Sequence, residues 1–326
     1  MSRKVSRRGF VISLGSLAAA SALPAIPLAS AFEPPLYPPA DLSYFDNPIT
    51  PSASEIRFGY AAITWGGNDL QAIKDVSEVG FRGIQLRSPI LKVFGDKPNA
   101  LADLLKQHQL QFVALSGGGP AGNIYNEADE IATQVKNATF TRHAGGLYLQ
   151  MTDSARPRDR KPDPKDFKAL GRLLTAIGKR TTDLGISMAY HNHMRTLGEA
   201  PDEVDALMDA SDPRYVKLLL DVAHYAQGGG DPAVAIRKYR DRILFLHIKD
   251  VESMHTSGEG DKGSYRFVEL GRGRVDLPAV FSALKEIRFR GWAVVELDSV
   301  PDKSRTPKES AIISRKYLEE KLGMKI

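Results

Sequence analysis

The sequence predicts an α/β chain folded as a single-domain (β/α)8 TIM barrel, and three observations carry that prediction. Short apolar runs with strand character recur eight times between residues 56 and 298, and each is followed by a stretch with helical periodicity. Most run starts are about 27–40 residues apart, the length of one strand–loop–helix–loop unit. Several runs end on His, Asp or Glu, as expected where the C-terminal ends of parallel strands converge on one crevice.

Before the repeat comes a leader. Residues 1–31 read as an export signal, with a basic start ending in Ser6-Arg7-Arg8-Gly9-Phe10 and an Ala-rich apolar segment running towards Leu28. Ala29-Ser30-Ala31 offers a small-residue cleavage site before Phe32. The paired arginines resemble the twin-arginine signal, which exports folded proteins. The twin-arginine export machinery is therefore an expected partner, and the expected location is periplasmic or otherwise exported. A membrane anchor is the competing reading; Pro24, Pro27 and the cleavage site argue against it. Residues 32–54, with EPPLYPPADLSYFDNPITPSAS, are too Pro-rich for regular structure and read as a linker or surface strap.

The barrel is assigned to residues 55–326. Its strands are placed at 56–64, 83–87, 111–116, 146–152, 186–193, 216–221, 243–249 and 293–298. Helical periodicity places helices at 69–79, 100–107, 126–143, 163–183, 201–210, 232–240, 277–287 and 308–321. An open doubly wound sheet is the structural competitor. Gly271-Arg272-Gly273 lacks the strand–turn–helix setting and third glycine of a dinucleotide fingerprint. The long glycine-containing connection 251–276 leaves the C-terminal end of strand seven and reads as a partly ordered lid.

Composition narrows the function. The formal charge is +5, and Arg3, Lys4, Arg7 and Arg8 contribute four of those charges, so the remainder is close to neutral. That balance gives no case for a nucleic-acid partner. Cysteine is absent, which excludes disulfides, thiolate nucleophiles and Cys-ligated zinc.

The chemistry is expected at strand ends. Alternation along strand five puts His191 and His193 on one face, and the same rule pairs His247 with Lys249 and Glu296 with Asp298. If those faces point inward, His191, Asp221, His247 and Glu296 form a ring of imidazoles and carboxylates. Such a set suits a divalent metal, Mn²⁺, Co²⁺, Fe²⁺ or Zn²⁺. Each has a plainer reading: a lone strand-end His is commonly just hydrogen-bonded, Asp221 can cap the next helix, and Glu296 can be an exposed acid. Their coincidence on successive strand ends favours the metal site. His193, His224 and Lys249 are assigned to substrate contact and proton transfer, with a salt bridge as the alternative for Lys249. Trp65 reads either as an apolar wall of the pocket or as core packing. Gln85, Arg87 and Gln150 end strands two and four and could hydrogen-bond a polyol.

With these residues in view, the chain resembles the xylose-isomerase-like TIM barrel superfamily of sugar isomerases, epimerases and related lyases. The matching pieces are YHNH (190–193), LLLDVAHYAQGGGDP (218–232), LHIKD (246–250), GRGRVDLPAVFSALKEI (271–287) and GWAVVELD (291–298). The resemblance maps metal ligation onto His191, Asp221, His247 and Glu296. Residues 189–209 look most like inosose dehydratase, although Arg195, placed among the substrate contacts, stands where dehydratases commonly carry Gly. Sugar epimerases of the superfamily usually have Glu in place of His191 and use paired glutamates as bases. Only Glu296 of that pair is present.

The expected activity is α-proton abstraction from a keto-sugar or keto-cyclitol, by Glu296 or His224, followed by loss of a β-oxygen. Departing hydroxide makes the enzyme a dehydratase; a departing glycosidic oxygen makes it a lyase of 3-keto-glycosides. The alternatives are a sugar isomerase or epimerase, a DNA-repair endonuclease of the same fold, and a non-catalytic periplasmic sugar-binding protein. The substrate is a small molecule in each favoured case, and homo-oligomerisation is left open.

Overall fold

Eight parallel strands close on themselves as a barrel, each hydrogen-bonded to a neighbour on either side. A computed structural model describes residues 56–117, 126–253 and 264–326. The signal at 1–31, the strap at 32–54, the tip of the lid with His255, and Gly118 and Gly119 lie outside the described residues. Among the described residues no helix is long and apolar enough to cross a membrane.

The barrel strands are β1 (Ile56–Ala61), β2 (Gly83–Arg87), β3 (Gln111–Ser116), β4 (Tyr148–Met151), β5 (Ser187–His191), β6 (Val216–Asp221), β7 (Ile243–Ile248) and β10 (Gly291–Val295). Each is apolar almost throughout because both faces are covered, one by the barrel interior and one by helices. The outer layer includes α1 (Asp69–Val79), α3 (Pro98–Gln107), α4 (Glu127–His143), α5 (Pro164–Asp183), α6 (Pro201–Asp209), α8 (Pro232–Lys238), α9 (Leu277–Glu286) and α10 (Pro307–Lys316), between which fall the short α2 (Leu91–Phe94) and α7 (Val222–Gln227). Several starts carry their own signal. Asp163 and Asp166 form a capping box at α5, and Thr306 and Glu309 form one at α10, each with proline in the first turn.

The sequence expectation runs long at strand ends. The first strand stops at Ala61, and Ala62–Trp65 turns as a 3-10 helix. The fifth stops at His191, leaving Asn192 and His193 in the following loop. The lid is better ordered at its base than expected: β8 (Asp250–Ser253) and β9 (Tyr265–Val268) pair as an antiparallel hairpin. The Asp250 carboxylate accepts backbone N–H bonds from Val251, Gly271, Gly273 and Val275, and so ties the returning chain to the barrel rim.

Two cores follow from the two-residue period. A large one fills the space between strands and helices. A small one, with Ala189, Leu219, Phe245 and Val294 among its members, is separate from it. Those four residues stand two positions before His191, Asp221, His247 and Glu296. Alternation therefore places all four polar residues directly above that apolar layer.

Candidate metal centre

The four residues at the strand ends converge. His191, Asp221, His247 and Glu296 are buried, and one ligand-type atom from each lies within 4.8 Å of the others. His191 Nε2 and His247 Nδ1 each sit 3.4 Å from Asp221 Oδ2, and His247 Nδ1 is 3.3 Å from Glu296 Oε1. Neighbouring register explains the proximity, since Asp221 pairs with His247 across β6 and β7.

Asp221 divides its work between two oxygens. Oδ1 caps α7, accepting from the backbone N–H groups of Ala223 and His224 at 2.9 Å each. Oδ2 faces the cluster. Asn192 fixes the backbone of Asp221 from both sides, accepting from its N–H at 2.9 Å and donating to its carbonyl at 3.2 Å. The cap that competed with ligation as an explanation of Asp221 thus coexists with it.

Three inward atoms, His191 Nε2, Asp221 Oδ2 and His247 Nδ1, are buried without a hydrogen-bond partner. A stranded buried polar atom costs about 1–3 kcal/mol, so three at one point require an explanation. A divalent cation would satisfy all of them together with Glu296. The donor set of two imidazoles and two carboxylates fits Mn²⁺, Fe²⁺, Co²⁺ or Zn²⁺.

Charge is arranged to match. Burial opposes ionisation of Asp221 and Glu296, but the surrounding imidazoles and the Lys249 ammonium outweigh it and hold both carboxyls well below their usual range. Burial lowers His191 to about 4, keeping it neutral. Burial also works against charge on His247, yet Glu296 and Asp221 beside it raise it to about 9. In the absence of metal, a proton on His247 therefore occupies part of the place of the cation.

Above the cluster opens a cavity of about 230 Å³, lined by Gln85, Arg87, Ser116, Thr152, His193 and Asp298 besides His191 and Glu296. His193 donates through Nδ1 to the Met194 carbonyl at 2.7 Å, and its ring lies 3.8 Å from that of His224. Thr152 Oγ1 is buried without a partner. The sequence assigns Ser116 and Thr152 no role, and it marks Asp298 only as sharing a strand face with Glu296. Their only signal is position, each lying at or just beyond a barrel strand's C-terminal end.

Other expected contacts fall elsewhere. Lys249 is fully buried outside the cavity lining, its ammonium 3.2 Å from Glu296, 2.6 Å from Asp298 and 3.9 Å from the centre of the Phe267 ring. The salt-bridge alternative describes it. His224 is also buried outside the cavity lining. Its Nδ1 accepts from Met194 N–H at 3.2 Å and its Nε2 faces Lys249 at 3.3 Å, while burial and that ammonium keep the ring neutral. Trp65 does not line the cavity. Because β1 ends early, the 3-10 turn carries its indole into the core, against Tyr60, where Nε1 donates to Asp75 at 2.8 Å. Arg195 is exposed in a left-handed conformation, φ 67°, away from the lining, and its N–H donates to Glu199. Gln85 is on the lining, but His247, Ser116 and Gln150 engage its amide.

Fold and site define a class. The chain belongs to the xylose isomerase-like TIM barrel family, which matches residues 73–321. It is an enzyme of the lyase or isomerase type. It is 29% identical over 283 residues to the rhizopine catabolism protein MocC of Rhizobium meliloti, covering 78% of this chain and 85% of that one. It is 27% identical over 300 residues to an inosose dehydratase of Lacticaseibacillus casei, covering 82% and 98%. Among solved structures, the IOLI protein with a bound zinc atom superposes with a TM-score of 0.67 at 20% identity, covering 81% and 97%.

Proposed function

We propose that the chain is a divalent-metal-dependent carbon–oxygen lyase acting on a keto-sugar or keto-cyclitol. The observation that carries this reading is the set of stranded inward atoms on His191, Asp221 and His247, beside Glu296, on the floor of a polar cavity. The similarity to inosose dehydratases supports elimination as the reaction. His191, standing where two-base epimerases carry glutamate, favours it over epimerisation.

His191, Asp221, His247 and Glu296 would hold the metal, which supplies a Lewis acid to polarise the substrate carbonyl. Glu296 is the carboxylate that both lines the cavity and is held ionised, and it takes the proton from the carbon next to the carbonyl. Lys249 is paired with Glu296 and Asp298 and balances their charge as negative charge develops on the substrate oxygen. The electron pair of the broken C–H bond forms the enolate and then expels the β-oxygen. With Nδ1–H donated to the Met194 carbonyl, His193 as the imidazolium carries a second proton on Nε2, delivers it to that departing oxygen and is left neutral. Arg87, Thr152 and Asp298 offer polar contacts to substrate hydroxyls.

The export signal read in residues 1–31 adds an exported location. It favours a 3-keto-glycoside, from which the same steps expel a glycosidic oxygen. The test incubates metal-loaded protein with 2-keto-inositol and, separately, a 3-keto-glucoside, followed by mass detection. Loss of water or of the aglycone supports the lyase. A product of unchanged mass would instead establish an isomerase or epimerase.

A further inference from the structure

Behind the cluster, four side chains form one hydrogen-bonded row. His247 Nε2 meets Gln85 Oε1 at 2.9 Å, Gln85 Nε2 meets Gln150 Oε1 at 2.9 Å, and Gln150 Nε2 meets His191 Nδ1 at 2.8 Å. All four side chains are buried, and each link of the row is made within the protein. Every link needs one donor and one acceptor. The row therefore has a direction, with N–H groups pointing from His247 towards His191.

That direction dictates the tautomer of His191. Because Nδ1 accepts from Gln150, the neutral ring carries its hydrogen on Nε2, the atom facing Asp221 Oδ2 at 3.4 Å. A metal on the inward side requires the reverse, a lone pair on Nε2 and hydrogen on Nδ1. Reversing the whole row does not help, because His247 would then carry its hydrogen inward on Nδ1. With two amides between two imidazoles, any one-directional row leaves one inward nitrogen protonated. Two histidine ligands require opposed amides, with oxygens towards the rings and NH2 groups meeting in the middle.

A third group stands at that meeting point. Ser116 Oγ is 2.9 Å from Gln85 Nε2 and is hydrogen-bonded to the Gln150 amide oxygen. A hydroxyl oxygen has two lone pairs and can accept from both amides. We propose that metal loading turns over the Gln150 amide, so that His191 Nδ1–H donates to its oxygen and Ser116 Oγ accepts from both amide nitrogens. The Ser116 O–H, displaced from Gln150, then points into the cavity that Ser116 lines, where substrate hydroxyls or a carbonyl can accept from it. Gln150 and Ser116 are positioning residues for the metal centre, and this role rests on the metal reading above.

The test is ring ¹⁵N NMR of the full chain without and with one equivalent of Zn²⁺, the His191 signals being assigned with His191→Gln. The expected result is the Nε2–H tautomer without Zn²⁺ and the Nδ1–H tautomer with it. An Nδ1–H tautomer already present without metal, or Zn²⁺ bound with no tautomer change, would overturn the amide reversal alone. No Zn²⁺ binding in competition with a chelator would overturn the metal centre and the reversal together. Ser116→Ala should weaken Zn²⁺ binding about tenfold and Ser116→Thr should restore it, as expected for a partner behind the ligands. Unchanged affinity in Ser116→Ala would remove Ser116 from the proposal. Should that variant not fold, the NMR measurement on the unaltered chain still decides.

Discussion

Lys249 and Glu296 are 47 residues apart in sequence, yet Nζ and Oε1 lie 3.2 Å apart, with the lysine side chain fully buried and that of Glu296 7% exposed. The ammonium also lies 3.9 Å from Asp221. A buried charge left without its partner costs about 3–5 kcal/mol. Lys249→Met should therefore lower the stability of the metal-free protein by about that amount in urea denaturation, and added Zn²⁺ should recover part of the loss. An unchanged midpoint without metal would contradict the charge balance described for the site.

Metal binding should depend on pH through His247. Its raised value, about 9 against an ordinary 6.5, means that a proton must leave before Nδ1 can bind metal. Below pH 9 the apparent Zn²⁺ affinity should therefore fall about tenfold per pH unit from this proton alone. Folding stability of the metal-free protein responds in the opposite sense. The contribution of His247 is fully present below 6.5 and is lost as pH rises through 9. Chelator competition and urea unfolding between pH 6 and 9 separate the two slopes.

The loop that carries His193 is pinned by Asp153. Its carboxylate accepts from Tyr190 Oη at 2.6 Å, Leu197 N–H at 3.1 Å and Ala155 N–H at 3.0 Å. Asp153→Ala strands buried donors at about 1–3 kcal/mol each. The melting temperature should fall, and kcat should fall more than KM rises because His193, the proton donor, loses its fixed position. A change confined to melting temperature would show that the loop holds its shape without Asp153.

Stability and metal binding should separate at the other end of the barrel. A Cβ on Gly83 would come within 2.4 Å of the Trp292 ring and 2.6 Å of Val113. Gly83→Ala should cost about 1–3 kcal/mol from overpacking. Zn²⁺ affinity should stay the same, since Gly83 begins β2 and the cluster sits at strand C-termini.

His191, Asp221, His247 and Glu296 were legible in the sequence because strand alternation and strand termination are local properties. An apolar run that ends on a ligand-type residue already states which face and which end that residue occupies. Trp65 was harder to place because the boundary between strand and 3-10 turn at Ala61 leaves no break in apolar character. In the sequence, the short distance of His224 from Asp221 and of Lys249 from His247 points both towards the substrate. The hairpin strand that returns with Phe267 packs over both of them, 4.8 Å from the His224 ring and 3.9 Å from the ammonium.

By itself, then, the sequence determined the barrel, its repeat length and the four residues that meet at its mouth. Periodicity and strand ends encode these one segment at a time. Only the tertiary structure decided what stands behind those four. The contacts of Gln85 with Gln150, of Ser116 with both, and of Asn192 with Asp221 join different strands and loops. Amide and hydroxyl groups have no pattern along the chain that reveals their partners; closure of the barrel selects them.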